Sequence, residues 1–93
     1  MKKTAMARHI LVSSQADAAL LKQRINKGAD FAKLAKQYSS CSSAKRGGDL
    51  GEIRRGQLVS AVDKVVFSAP LKRLQGPIKS PFGYHIIEVY FRD

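Results

Sequence analysis

The sequence predicts a single α+β domain in which an antiparallel sheet is partly wrapped by helices. Three observations favour this fold class: strand-like stretches near both ends of the chain, segments with apolar residues at helical spacing between them, and breaks rich in glycine, serine or proline that separate the segments. The predicted order of elements is β-α-α-β-α-β-β. A length of 93 residues fits one such domain, residues 1–93, and leaves no room for a second.

The first half of the chain predicts one strand and two helices. Residues 5–12 are apolar and partly β-branched, as in a strand. Ser14 is a suitable cap for a helix that ends at Gly28, and Asp30 is a suitable cap for the next helix. The buried stripe of that second helix is expected to comprise Phe31, Leu34, Ala35 and Tyr38.

A long loop separates these helices from the rest of the chain. Ser39 to Gly51 is rich in serine and glycine and predicts irregular structure, with a short strand at residues 50–54. A loop of about a dozen residues is long for a compact domain, which suggests a functional role.

The last third of the chain predicts a helix and two strands. Ser60 resembles the cap of the third helix, and Gly76-Pro77 predicts a turn before a short strand at residues 78–79. The clearest strand is Tyr84 to Phe91. By alternation, one face of it is expected to carry His85, Ile87, Val89 and Phe91.

The formal net charge of +10 predicts weak, non-specific binding to polyanions. The cations are dispersed rather than gathered in one tail. One candidate basic face lies on the two predicted helices: Lys22, Arg24, Lys27, Lys33 and Lys36. A solvated helix surface is the commoner explanation of such a pattern.

Cysteine use and hydropathy indicate a cytoplasmic protein. Cys41 is the only cysteine, so no intrachain disulfide can form. The charged start, Met1 to Lys3, resembles that of a signal peptide, but Arg8 and His9 interrupt the apolar region that should follow. No stretch approaches the roughly 18 apolar residues of a membrane span. We therefore expect no membrane association, and a monomer by default.

Three side chains are candidates for chemistry. His9 and His85 lie in the first and last predicted strands, and they can meet if these strands are neighbours. A buried neutral pair can satisfy its own hydrogen bonds, and structural histidines in sheets are commoner than catalytic ones. Cys41 lies near two cations in sequence, which favours a reactive thiolate, although a small buried hydrophobe is an equal alternative.

The same residues do not predict a metal or cofactor site. His9, Cys41, Asp49 and His85 do not stand at the close spacing of structural zinc ligands. Arg46-Gly47-Gly48-Asp49 lacks the helix and the Lys-Ser/Thr ending of a phosphate-binding loop. A Cys-His protease would also need a third polar group and an oxyanion hole, neither of which the sequence identifies.

Four segments together resemble the parvulin family of peptidyl-prolyl cis/trans isomerases. They are Arg8–Val12, Ser42–Gly51, Arg55–Leu58 and Phe82–Ile87, in the family's order and spacing over nearly the whole chain. The short form is similar to small bacterial cytoplasmic parvulins. The resemblance implies a four-stranded antiparallel sheet surrounded by helices, no cofactor, and isomerase activity on proline-containing polypeptide clients.

The resemblance also implies roles for individual residues. His9, Cys41 and His85 match catalytic positions, and the substrate-binding positions match Leu50, Leu58, Val62, Phe67 and Ser80. Val62 replaces the family's usual phenylalanine and Leu58 its usual methionine, so a shallower pocket is expected. The connection Ser13-Ser14-Gln15 lacks the basic cluster of phosphate-dependent parvulins, so no phosphate requirement is expected.

Two other functional classes stay open at the level of sequence. A nucleic-acid-binding module would explain the charge, but no recognition motif is present. A chaperone-like module that binds proline-containing segments with little isomerase activity would suit a weakened pocket.

Overall fold

The computed structural model describes residues 4–93, so the charged start at Met1 to Lys3 lies outside the described part of the chain. Four strands form one antiparallel sheet: β1 (Thr4–Val12), β2 (Asp49–Arg54), β3 (Leu74–Ser80) and β4 (Gly83–Arg92). Their spatial order is β2-β1-β4-β3. The helices are α1 (Gln15–Asn26), α2 (Phe31–Tyr38) and α3 (Ser60–Val66), with a short 3₁₀ helix at Ser42–Arg46. The predicted fold class and element order are confirmed.

The sheet carries a separate hydrophobic core on each face. Alternate residues of a strand point to opposite faces, and the central strands β1 and β4 are covered on both. One core joins the sheet to α1 and α2, and includes Ile10, Ile86, Leu21 and Leu34. The other core joins it to α3, and includes Ala7, Ile53, Val62, Val66, Ile87 and Val89. Helix α3 therefore lies on the side of the sheet opposite α1 and α2.

The helix caps agree with the sequence at two of three positions. Ser14 Oγ accepts the Asp17 N–H at 3.0 Å, and Asp30 Oδ1 accepts the Lys33 N–H at 3.2 Å. The expectation for Ser60 is wrong, because Val59 occupies the cap position and no side chain caps α3.

A bulge in β4 corrects one predicted face. Ala7 pairs with Val89 but Met6 pairs with Phe91, so Tyr90 is an additional residue in β4. The alternation reverses beyond it, and Phe91 is 48% exposed rather than buried beside His85, Ile87 and Val89.

Other sequence expectations also need correction. Tyr38, the last residue of α2, is 45% exposed and not part of the core stripe. The loop after α2 contains the 3₁₀ helix, and β2 begins at Asp49. Gly76 and Pro77, joined by a cis peptide bond, lie within β3 at an irregularity in its register, not before it. Within residues 4–93, no helix is long and apolar enough to cross a membrane.

Candidate active site

A cleft of about 310 Å³ lies on the α3 side of the sheet and presents an almost wholly apolar surface. We call it the proline cleft, after the ring that the resemblance noted in the sequence would place in it. Its lining comes from β1, β2, β4, α3 and the connections between them: His9, Leu11, Cys41, Leu50, Leu58, Val59, Val62, Phe82 and His85. Such a cleft suits a small apolar ring, with a few polarisable or polar groups at one side.

The two histidines meet at the floor of the proline cleft. In the register of β1 and β4, Leu11 pairs with His85 and His9 pairs with Ile87, so the imidazoles are diagonal neighbours on one face. Their Nδ1 atoms are 3.2 Å apart and their rings are nearly parallel, at 17°. The sequence-based expectation that the imidazoles contact each other is confirmed.

Ser80 completes a hydrogen-bonded trio with the histidines. Its Oγ lies 2.6 Å from His85 Nε2 and accepts the Phe82 N–H at 3.2 Å. The arrangement with the fewest unpaired groups has Ser80 donating to His85 Nε2 and His85 Nδ1–H donating to His9 Nδ1. The proton of neutral His9 is then on Nε2, the one ring nitrogen of the pair that is buried without a partner.

Burial keeps both imidazoles neutral near pH 7. Loss of solvation, reinforced by repulsion from His85, lowers the pKa of His9 from 6.5 to about 4. Loss of solvation also lowers the pKa of His85. The floor of the cleft is therefore uncharged, although the domain as a whole is strongly cationic.

Hydrogen bonds fix the segment that carries Cys41 against β1. Ser39 Oγ accepts the Leu11 N–H at 3.0 Å and the Cys41 N–H at 3.4 Å, and the Ser40 N–H donates to Leu11 O at 2.8 Å. Cys41 then occupies the cap position of the 3₁₀ helix, and its half-buried side chain lines the cleft.

The environment of Cys41 favours its thiolate. Burial alone would raise the pKa of the thiol, but interactions with the hydroxyls and backbone amides of Ser43 and Ser42 outweigh it and lower the pKa. Ser43 Oγ is buried and has no well-aligned hydrogen-bond partner, so we attribute its effect on the sulfur to electrostatic attraction. Lys45 and Arg46, the two cations near Cys41 in the sequence, are not among the causes of the lowered pKa.

Six of the eight site residues expected from sequence line the proline cleft: His9, Cys41, Leu50, Leu58, Val62 and His85. Ser80 lies behind His85 as its hydrogen-bond partner. Phe67 packs against the α3 core with the Arg55 guanidinium 5.2 Å from its ring centroid, and it is not among the lining residues.

Three further lining residues were not expected from sequence. Leu11 shares a face with His9 by strand alternation, which was a usable signal. Val59 precedes α3, and Phe82, which is 68% exposed, lies in the β3–β4 turn. Apolar residues in turns have no periodicity, so only the folded structure identifies these two.

A polar network anchors β2 beside the cleft. Asp49 Oδ1 accepts the Gly51 N–H at 2.9 Å and the Tyr90 hydroxyl at 2.8 Å. The first bond links the residues on either side of Leu50, and the second ties Asp49 to β4. Within residues 4–93, no three His, Cys, Asp or Glu side chains are grouped so as to hold a metal ion.

Comparisons with known proteins identify one family. A model of the rotamase family, the PPIC-type PPIase domain, matches residues 3–90. Foldase protein PrsA of Caldanaerobacter subterraneus is 46% identical over 83 residues, which are 88% of this chain and 27% of that protein. Chaperone SurA of Methylobacillus flagellatus is 44% identical over 72 residues, or 77% of this chain and 16% of that protein. The chain thus spans less than a third of either relative.

Solved structures agree with the sequence matches. The solution structure of NmPin, the parvulin of Nitrosopumilus maritimus, superposes with a TM-score of 0.87 and 38% identity, covering 96% of this chain and 97% of that one. The crystal structure of PrsA from Bacillus anthracis gives a TM-score of 0.95 and 34% identity, covering 99% of this chain and 43% of that one.

Proposed function

Because this chain belongs to the PPIC-type, or parvulin, family of peptidyl-prolyl isomerases, we propose that it accelerates rotation about Xaa-Pro peptide bonds in polypeptide clients. The observation that carries the proposal is the apolar proline cleft of about 310 Å³, with a neutral histidine pair at its floor and a thiol in its wall. A pyrrolidine ring fits its surface chemistry.

The reaction requires a change of conformation, not the breaking of a covalent bond. Resonance keeps the amide planar and sets a rotational barrier of roughly 18–20 kcal/mol. The planar amide separates more charge than the twisted one, so a poorly solvated site disfavours the planar form more. Each ~1.4 kcal/mol of such differential stabilisation increases the rate about tenfold.

The apolar lining performs the gripping role in this scheme. Leu50, Leu58 and Val62 come from three different elements or connections and converge on the cleft. They hold the ring of the client proline while the preceding carbonyl rotates. Val62 is only 2% exposed and has a short side chain, so it offers the ring little contact area.

The histidines and Cys41 form the side of the cleft where the carbonyl rotates. The neutral pair holds β1 to β4 without placing a charge beside the amide. Cys41 presents a polarisable sulfur with a lowered pKa. We assign it an electrostatic, non-covalent role, because rotation needs no covalent intermediate.

Replacement of Cys41 tests that role. For Cys41→Ser and Cys41→Asp we expect kcat/KM to fall by about tenfold or less, since each such step corresponds to only ~1.4 kcal/mol. Protease-coupled isomerase assays would measure it, with far-UV circular dichroism to confirm folding. Complete loss of activity in both correctly folded variants would instead indicate a covalent role.

Phosphate is not part of the proposed recognition. Of the described residues, those that line the proline cleft include no lysine or arginine. A phosphate on the residue before proline would therefore find no cation in the lining to pair with. We expect a phosphoserine-Pro peptide to isomerise no faster than its serine-Pro counterpart.

The direct test is cis/trans exchange in a set of Xaa-Pro peptides, measured by NMR with catalytic amounts of protein. Accelerated exchange, strongest with apolar residues before proline, is the expected result. No acceleration at high protein concentration would overturn the proposal.

Leu58→Ala tests whether the cleft grips the ring. The change removes apolar contact of roughly 1.5–2.5 kcal/mol, so we expect kcat/KM to fall about 10- to 70-fold. Val65→Ala is the matched control, because Val65 is a partly buried member of the same core but does not line the cleft. Equal loss in both variants would mean that general packing is responsible.

The proposal about clients rests on the family, and the proposals about location and assembly rest on the sequence alone. We propose proline-containing polypeptides as clients, a cytoplasmic location, a monomer, and weak polyanion binding that follows from the charge of +10. Sedimentation would test the monomer, and salt-dependent retention on a polyanionic resin would test the last property.

A further inference from the structure

Leu50 faces the proline cleft because of an irregularity in β2. The pairing of β2 with β1 skips Leu50, since its neighbours Asp49 and Gly51 pair with consecutive residues of β1, as in a β-bulge. Residues three apart in a regular strand point to opposite faces of the sheet. Leu50 and Ile53 nevertheless both pack into the α3 core. The bulge is therefore the feature that turns Leu50 toward the cleft.

The carboxylate of Asp49 braces this bulge from the other face of the sheet. Its side chain lines a cavity on the α2 side, together with Ala32. Asp49 Oδ1 accepts the Gly51 N–H at 2.9 Å, so the hydrogen bond closes a turn around Leu50. The conformation at Leu50 thus depends on a carboxylate that is not part of the cleft lining.

The Tyr90 hydroxyl is the second donor to the same carboxylate oxygen, at 2.8 Å. Strand β1 lies between β2 and β4, so this bond crosses a whole strand. Tyr90 is the additional residue of the β4 bulge and lines the same cavity as Asp49. One bulge in each strand that flanks β1 thus brings the two polar side chains together on the α2 side, while Leu50 faces the α3 side.

The position of Leu50 is sensitive to this bracing. Strand β2 is at the edge of the sheet and pairs on one side only, and its pairing is interrupted at the bulge. Contacts between apolar atoms weaken within a fraction of an ångström of separation. A small displacement of Leu50 therefore removes contact with a ring as small as that of proline.

We propose that Asp49 and Tyr90 are positioning residues for the proline cleft, which together hold the β2 bulge so that Leu50 stands against the ring of the client proline. The inference rests on the proposed function and deepens it. Neither residue lines the cleft, so their effect passes through Leu50. They set the affinity for the ring, whereas rotation of the amide takes place on the side of the histidines and Cys41.

Tyr90→Phe is the main test, because it removes one hydroxyl and keeps the aromatic ring. We expect KM for an Xaa-Pro peptide to rise about 3- to 10-fold and kcat to stay within about twofold of the wild-type value, as for a loss of uniform binding. Tyr84→Phe is the matched control, since Tyr84 lies in the same strand, packs against the α1 and α2 core and does not line the cleft. An unchanged KM in Tyr90→Phe, or an equal rise in both variants, would overturn the inference.

Two changes at Asp49 test whether the carboxylate connects Tyr90 to the cleft. Asp49→Asn keeps an oxygen that can accept both bonds, whereas Asp49→Ala removes it. We expect asparagine to retain most of the affinity, and alanine to raise KM at least as much as Tyr90→Phe does. Adding Tyr90→Phe to Asp49→Ala should raise KM no further, because the hydroxyl has no acceptor left to lose. Additive effects of the two changes would contradict the proposal.

The position of Leu50 can also be followed without any activity. If no peptide isomerises, the proposed function fails separately, and the methyl NMR signals of Leu50 in the peptide-free protein then decide the inference. We expect Tyr90→Phe to shift these signals and Tyr84→Phe to leave them in place. Unshifted Leu50 signals in Tyr90→Phe would overturn the inference whether or not the protein is an active isomerase.

Discussion

Gly48→Ala is expected to lower the free energy of unfolding by about 3 kcal/mol or more, which is a large part of the stability of a small domain. A Cβ atom at Gly48 would lie 2.4 Å from His9 O, 3.1 Å from Phe31 Cε1 and 3.2 Å from Ala35 Cβ. The first of these neighbours is backbone of the central strand and cannot move aside alone. Overpacking of this kind costs about 1–3 kcal/mol.

Backbone conformation adds to the cost at Gly48. Its φ of +86° is unfavourable by roughly 1–2 kcal/mol for a residue with a side chain. Its carbonyl also accepts the His9 N–H at 2.9 Å, so any displacement weakens the bond that aligns His9. We therefore expect both stability and activity to fall.

Gly51→Ala separates the two causes. Gly51 has a similar φ of +70°, but a Cβ atom there meets nothing within 4 Å. We expect only about 1 kcal/mol of destabilisation. Urea unfolding measures the loss of stability in each variant. In a thermal scan, the melting temperature of Gly48→Ala should fall by roughly 12–24 °C. Similar losses in the two variants would show that the close approach to His9 is unimportant.

Acidification below neutral pH is expected to destabilise the domain by up to about 3 kcal/mol through His9. Its pKa is lowered from 6.5 to about 4 by burial and by His85. Between these values the unfolded chain binds a proton that the folded chain excludes, so stability falls as pH decreases. The contribution is fully present above pH 6.5 and is lost by about pH 4. The lowered pKa of His85 acts in the same direction.

The pH dependence is measured as the free energy of unfolding in urea at several pH values between 4 and 7. His9→Gln is the control, because glutamine is polar but does not titrate. The free energy of unfolding of this variant should change less with pH than that of the wild-type chain, whatever its absolute value. In the wild-type chain, the NMR signals of His9 should show no titration near pH 6.5. A titration there would contradict the neutral, buried pair.

Local patterns in the sequence predict most of the fold, since hydrophobic spacing and capping residues depend on near neighbours along the chain. Ser14 and Asp30 cap their helices as expected, and His9 and His85 meet because their strands are adjacent. The resemblance adds what spacing does not provide, namely which lining residues belong together. Six of the eight expected site residues line the proline cleft.

The errors occur where one additional residue or a tertiary contact decides the outcome. Phe91 alternates perfectly in sequence, but the bulge at Tyr90 moves it to the other face. At α3, Val59 rather than Ser60 occupies the cap position, and the Asp63 carboxylate accepts the Gly56 N–H at 2.8 Å. Phe82 enters the cleft from a turn, where apolar residues follow no period. These three outcomes depend on contacts between residues that are distant in sequence, or on residues that lie in irregular structure.

The adjacency of the first and last strands means that the histidine pair requires both β1 and β4, which lie near opposite ends of the domain. His9 and His85 are separated by 76 positions along the chain yet share a hydrogen bond. Closing so long a loop costs entropy before any contact is gained, and topologies of this kind fold more slowly than those with local contacts. During synthesis, β1, α1 and α2 leave the ribosome before β4, so the histidine pair cannot form until β4 has followed. Catalytic competence therefore reports that the whole sheet is closed, and a nascent chain without β4 has no site to offer a client.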